Sequence, residues 1–241
     1  MTATSWNRCS EATLPMEVLV PFSTDRPKSR LSAALTPDER DAFALAMLRD
    51  VLDAVAAAGG EPRVLATGAV DADLSCSVTV DDRPLTEAVN AALDARLGDD
   101  ESGGGLGAER VAVVMADLAL ATPEALRELF AAGREADVAI APGRGGGTNA
   151  FVVGRPEFRV DYHGASYLDH RRIAEEIGAS VVVVDSHRLA TDIDEPGDLA
   201  ELLIHAEADD DGDGEGRAPR WLRDAGFALD ATDGRVGVER E

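Results

Sequence analysis

The chain has 241 residues, with 46 acidic against 23 basic side chains, a net charge of −23, 45% hydrophobic residues and 4% aromatics. That length and apolar share fit one sizeable core and exclude a wholly disordered chain. The charge excludes electrostatic binding to duplex nucleic acid or to an anionic membrane.

The acidity is spread along the chain: residues 206–241 carry −6, residues 1–15 sum to zero, and the remaining −17 falls on 16–205. Of the basic residues, 22 are arginines and one, Lys28, is a lysine. A body-wide acidic excess of this kind suits a halophilic protein, because molar salt shortens the Debye length to about 3 Å and screens self-repulsion. Cys9 and Cys76 are isolated, which rules out a disulfide framework or a cysteine cluster and fits a reducing, cytoplasmic interior. No apolar stretch reaches membrane length, and no basic segment followed by an apolar one reads as a secretory leader.

Residues 1–15 lack periodicity and read as a flexible extension. A short β-rich run at 18–20 ends in Pro21. Thr36-Pro37-Asp38-Glu39 is a capping box, with Thr36 at N-cap and Glu39 at N3. The helix it opens places Phe43, Met47, Leu48, Val51, Leu52 and Val55 at helical spacing and stops at Gly59-Gly60. Residues 63–67 and Ser77–Val80 read as strands, Leu85–Leu97 as a helix and 101–107 as a glycine-rich loop. The apolar run 111–115 predicts a strand buried on both faces of a parallel sheet. A helix is predicted at 123–132, strands at 138–141 and 150–153, a helix at 166–177, a strand at 181–184 and a helix at 196–204. An acidic linker follows at 208–217, then a terminal hairpin with strands at 227–231 and 235–238 around Thr232-Asp233-Gly234. Alternating strands and helices define an α/β three-layer sandwich with a mostly parallel sheet, as one domain at 16–205 followed by an acidic linker and short appendage at 206–241.

In such sheets ligands bind beyond the carboxyl ends of the strands, and four segments fall there. The first, Pro21-Phe22-Ser23-Thr24-Asp25-Arg26-Pro27-Lys28-Ser29-Arg30, is either a solvated basic turn or a polyphosphate contact. The second, Ala116-Asp117, puts a carboxylate just past a buried strand, where it either caps a turn or holds Mg²⁺, which favours one or two carboxylates plus phosphates. The third, Gly143-Arg144-Gly145-Gly146-Gly147-Thr148-Asn149, is a flexible connector or an anion cradle, but neither a P-loop nor a dinucleotide fingerprint. In the fourth, Thr191-Asp192-Ile193-Asp194-Glu195-Pro196, alternate carboxylates point the same way, so Asp192 and Asp194 can share a divalent ion with Asp117. Asp194 can equally cap the last helix. Between the third and fourth, Ser166 is expected as the N-cap of a helix, offering its hydroxyl and free N–H groups to an anion. His163 and His170 read as surface or packing residues, and no nucleophilic triad is legible.

Taken in order, these segments resemble the 2-phospho-L-lactate guanylyltransferase family of coenzyme F420 biosynthesis, as a halophilic archaeal member. The likeness rests on Val20-Pro21-Phe22 with Pro27-Lys28-Ser29-Arg30-Leu31, Met47-Leu48-Arg49-Asp50-Val51-Leu52, Gly145-Gly146-Gly147-Thr148-Asn149-Ala150, and Asp192-Ile193-Asp194-Glu195-Pro196 with Asp198-Leu199. It spans 16–204. The resemblance implies a nucleotide-diphospho-sugar transferase (GT-A-like) fold and a homodimer. It also implies Mg²⁺ on Asp117, Asp192 and Asp194, and transfer of a guanylyl group from GTP to a small phospho-acid. Lys28 and Arg30 would neutralise the triphosphate, while Gly146, Gly147, Thr148, Asn149, Gly164 and Ser166 would seat the acid. His163 stands where the family's Gly-x-x-Ser segment has its first glycine. Phosphoenolpyruvate or 3-phosphoglycerate are alternative acceptors. A metal-dependent glycosyltransferase is the rival class, since Asp192-Ile193-Asp194 has the form of a metal-binding DxD.

Overall fold

Met16–Phe22 is a strand (β1) that buries Val18, Leu19 and Val20, extending the predicted run to both sides. The computed structural model describes residues 15–25, 27–98, 109–208, 216–232, 234 and 236–240. Residues 1–14 of the expected extension at 1–15, Arg26 and the glycine-rich loop at 101–107 lie outside the described residues.

The capping box forms as read: the Thr36 hydroxyl accepts from the Glu39 amide, and the Glu39 carboxylate accepts from the Thr36 amide at 2.8 Å. It opens helix α1 (Pro37–Ala57), whose Leu48, Val51, Leu52 and Val55 pack on the sheet and whose Phe43 and Met47 face a separate cluster. Strands β2 (Gly60–Ala66) and β3 (Ser77–Val80) follow, then helix α2 (Leu85–Leu97), strand β4 (Val111–Val114), helix α3 (Pro123–Glu135) and strands β5 (Val138–Pro142) and β6 (Thr148–Val153). Helix α4 (Ser166–Glu176), strand β7 (Val181–Val183), the four-residue helix α5 (His187–Ala190) and helix α6 (Pro196–Ala208) complete the body. Helix α5 and the 3-10 turn Ser29–Ala33 are not legible in the sequence, both being too short to carry a periodic pattern.

The sheet runs β3-β2-β1-β4-β6-β5-β7. Its pairs are parallel except those of β6, which lies antiparallel to both β4 and β5. The mostly parallel α/β sandwich is therefore as expected, although β4 itself has one parallel and one antiparallel neighbour. One core cluster lies between the sheet, α1 and α3, and another between the sheet, α2 and α4. Each fully buried Leu, Val or Phe in these layers contributes about 1.5–3 kcal/mol.

A third cluster joins Phe43 and Met47 of α1 to Leu199, Leu202 and Leu203 of α6. It also takes in Ala218 and Leu222 of a helix α7 (Arg217–Asp224), and Phe227 of strand β8 (Phe227–Asp230). Trp221 stacks on Phe43 with ring centroids 5.3 Å apart, and Asp50 accepts from the amides of Arg217 and Ala218 at 2.7 and 2.8 Å. The terminal hairpin is present, β8 pairing antiparallel with β9 (Gly237–Arg240). Helix α7 is not legible in RAPRWLRD, because Pro219 and four charged residues mask an apolar stripe of only Ala218, Trp221 and Leu222. Most of the expected acidic linker, 209–215, lies outside the described residues. No described helix is long and apolar enough to cross a membrane.

Candidate active site

The strand order places β1 between β2 and β4, so successive connections leave β1 toward opposite edges of the sheet. A crevice at such a switch point is where open α/β sheets take ligands. The turn after β1 carries Lys28, and Asp117 follows β4. Because β6 runs against its neighbours, its first residues, Thr148 and Asn149, lie at this same edge.

Lys28 donates to Asp117 Oδ2 at 2.7 Å and to Asp194 Oδ1 at 2.6 Å, with 9% of its side chain exposed. Burial opposes its charge, but Asp117 and Asp194 outweigh that and hold the ammonium above its ordinary pKa. Lys28 sits at φ 53° and ψ 41°, the left-handed region, which costs a non-glycine residue about 1–3 kcal/mol. Among the described non-glycine residues it is the one with positive φ. The exposed Arg30 reaches the other oxygen of Asp194 at 3.0 Å. Lys28 and Arg30 thus meet the expected acids directly.

The acidic segment 191–195 is tied down from several sides. Asn149 Nδ2 donates to the Leu189 carbonyl at 3.0 Å and to Asp192 Oδ1 at 3.3 Å. Ile193 N–H bonds the Asp117 carbonyl at 3.2 Å. Burial, reinforced by the nearby Asp117 charge, pushes the Asp192 carboxyl up. The alternative in which Asp194 caps the last helix is corrected: Asp198 reaches back to accept from the amides of Asp194 and Glu195 at 3.0 and 2.8 Å. The Asp194 carboxylate is left to the two cations. Arg144 joins the glycine-rich loop to this framework through Asp198 at 2.7 Å and through its own N–H on the Ala190 carbonyl.

That loop is a built turn. Gly143 N–H meets the Gly147 carbonyl and Gly146 N–H the Gly143 carbonyl at 2.9 and 3.0 Å, with Gly146 at φ 84° where a side chain would be strained. Ser166 is not the N-cap of α4; Ala165 holds that place. The buried Ser166 hydroxyl instead accepts from the Thr148 amide at 3.0 Å, fastening α4 to β6. Gly164, at φ 55°, lies in the exposed turn before α4 beside His163.

His170 is fully buried among Phe151, Phe158 and Tyr162. Its Nε2 accepts from the Asp161 amide at 2.9 Å, so the neutral ring carries its proton on Nδ1, 2.8 Å from Thr148 Oγ1. Burial lowers its pKa to about 4, which keeps it neutral. Thr148 therefore receives a hydrogen bond from within and retains its own hydroxyl hydrogen to donate.

A cavity of about 710 Å³ opens on the β1 side, between Thr24, Asp25, Pro27 and Lys28, Asp117, Asp194 and a wall formed by Asp81, Asp82, Arg83, Pro84 and Leu85. Arg83 folds back onto Asp81 at 2.8 Å. This wall was not among the four segments read from sequence, though the rule about strand carboxyl ends, applied to Ser77–Val80, points to it.

A buried oxygen of Asp117, Oδ1, has no hydrogen-bond partner. An unpartnered carboxylate oxygen beside Asp192 and Asp194 fits a hard divalent cation, for which all-oxygen ligand sets are suited.

The fold recurs in solved structures described as transferases. A protein described as a nucleotide-diphospho-sugar transferase from Desulfovibrio desulfuricans shares the fold at a TM-score of 0.67 and 16% identity, over 87% of this chain and 95% of its own. A nucleotidyl transferase from Methanothermobacter does so at 0.51 and 16%, over 79% and 97%. The chain belongs to the family described as "Guanylyl transferase CofC like", which matches residues 16–239 and so takes in the C-terminal segment beyond residue 204. The 2-phospho-L-lactate guanylyltransferase of Halorubrum lacusprofundi is 80% identical over 94% of this chain and all of its own length. That of Methanoregula boonei is 44% identical over 92% and 94%.

Proposed function

We propose that the protein transfers the guanylyl group of GTP to (2S)-2-phospholactate, giving lactyl-2-diphospho-5'-guanosine and pyrophosphate in coenzyme F420 biosynthesis. The observation that carries this reading is the Lys28-bridged pair Asp117–Asp194 at the switch point, with a nucleotide-sized cavity on one side and the Thr148 hydroxyl and glycine turn on the other. Family membership agrees with it.

A phosphate oxygen of the acid attacks the α-phosphorus of GTP; the new O–P bond forms as the bond to the β-phosphate oxygen breaks and pyrophosphate leaves. The nucleophile is anionic near neutral pH, so no general base is needed. The protein must bring two polyanions together and hold them in line. Lys28 and Arg30 supply positive charge to the triphosphate. The Asp81–Leu85 wall bounds the nucleoside, and the glycine turn with Thr148 receives the phospho-acid, the Thr148 hydroxyl being held as a donor by His170. Gly164 and Ser166 support this side, Ser166 through the Thr148 amide. Asp117, Asp192 and Asp194 would hold Mg²⁺, which supplies charge neutralisation at the α-phosphate.

The acidic composition supports work in a molar-salt cytoplasm. Exposed valines on both edge strands, Val78 and Val80 on β3 and Val182 and Val183 on β7, support a homodimer. Mass spectrometry of products from GTP and a panel of phospho-acids in molar KCl tests the reading. Phospholactate-dependent pyrophosphate release with the matching diphospho product is the expected result. Preference for phosphoenolpyruvate or 3-phosphoglycerate would change the acceptor, and consumption of a sugar nucleotide would overturn the class.

A further inference from the structure

On the flank of the acidic segment, three donors that the reaction does not use converge. His187 opens α5, while Glu201 and His205 stand one turn apart on one face of α6. Nε2 of His187 lies 3.0 Å from Nε2 of His205. Glu201 Oε2 lies 3.9 Å from the first nitrogen and 3.7 Å from the second.

A hydrogen bond between neutral imidazoles accounts for the first distance alone. The carboxylate distances are too long for hydrogen bonds and nearly equal, the pattern of donors grouped around a common centre. Ligands about 2.0–2.1 Å from a tetrahedral Zn²⁺ are themselves about 3.3 Å apart, so closure around an ion needs shifts of about half an ångström.

We propose that His187, Glu201 and His205 form a binding site for a transition cation of the Zn²⁺ class, separate from the Asp117–Asp192–Asp194 cluster, with water in the fourth position. Two imidazoles and one carboxylate suit Zn²⁺ and disfavour Mg²⁺, which takes oxygen ligands. The ion would join α5 to α6 across residues 191–195, clamping from behind the segment that carries Asp192 and Asp194. It acts as a staple there, since neither histidine faces the cavity.

The test uses the full chain in molar KCl, stripped with a chelator and dialysed against Zn²⁺ or Co²⁺ at mildly alkaline pH, where imidazoles are deprotonated. One equivalent of Zn²⁺ is expected to remain, Co²⁺ to give the intense visible band of tetrahedral coordination, and Zn²⁺ to raise Tm by several degrees. His187→Ala and His205→Gln should abolish all three signals, and Asp117→Asn should retain them. Circular dichroism confirms that each variant is folded, and the exposed His187 gives a second route should His205→Gln fold poorly. The proposal is overturned if no Zn²⁺ is retained, if the histidine variants keep it, or if Asp117→Asn loses it.

Discussion

Replacing Lys28 by Met removes the ammonium that bridges Asp117 and Asp194 while keeping an unbranched side chain one atom shorter. Removing one partner of a buried, hydrogen-bonded pair costs about 3–5 kcal/mol. Here three carboxylates, Asp117, Asp192 and Asp194, are left near one another, with the exposed Arg30 still bonded to Asp194. The acids are partly exposed, at 26% and 31% for Asp117 and Asp194, and molar salt screens what water reaches, so the low end of about 3 kcal/mol applies. At about 2–4 °C per kcal/mol for a chain of this size, Tm should fall by about 6–12 °C. Differential scanning calorimetry in molar KCl with a chelator measures it. Adding Mg²⁺ or Mn²⁺ should then restore at least half of the loss, because a divalent ion supplies the missing charge. Turnover should nevertheless stay down by about a hundredfold or more, the triphosphate having lost its main cation. A Lys28→Met protein that melts within about 2 °C of its parent in chelator, or whose deficit is indifferent to divalent ions, would refute the reasoning.

Three further outcomes follow from the same structure. The His170 pKa of about 4 lies below the ordinary 6.5, so its contribution is complete above pH ~6.5 and is lost as pH falls toward 4, by at most about 3 kcal/mol; urea unfolding across that window should show the slope in the parent and not in His170→Phe. A Cβ on Gly133 would lie 2.4 Å from Val152 Cβ, so Gly133→Ala should destabilise the α3–β6 packing by about 1–3 kcal/mol or more, with Val152→Ala in the same chain recovering part of it in thermal melts. Raising KCl from about 0.1 M to molar should increase the unfolding free energy steadily, given the net charge of −23, whereas a flat response would sink the molar-salt reading.

Much of the architecture was legible because local rules and packing agree. The Thr36–Glu39 box marks a helix start in any context, and the strand Ser77–Val80 and helix Leu85–Leu97 have the predicted bounds. That Asp117 and the segment carrying Asp192 and Asp194 come together was legible because a parallel sheet gathers the loops past its strand ends at one edge, where Lys28 and the Ile193 amide join them. The direction in which Ser166 points was not, because it is decided by the Thr148 amide, 18 positions away. His170 likewise reads as an ordinary helix histidine until three aromatic rings from other segments close around it. Helix α7 carries too small an apolar stripe to stand out, and only the apolar side of α1 that bears Phe43 and Met47, turned away from the sheet, calls for it.

Those two side chains also set an order of events during synthesis. The face of α1 that bears them is made within the first fifth of the chain, yet its cover includes Ala218, Leu222 and Phe227. At about 5–20 residues per second, ribosomal synthesis leaves that face uncovered for on the order of ten seconds or more after α1 emerges. The segment 217–240 then fastens back onto the same helix, Arg240 bonding Glu39 at 2.5 Å and Arg217 pairing with Asp50 and Asp53. That face therefore closes only once residues 217–240 have emerged, and a chain stalled before them presents an open apolar face to the chaperones and proteases around it.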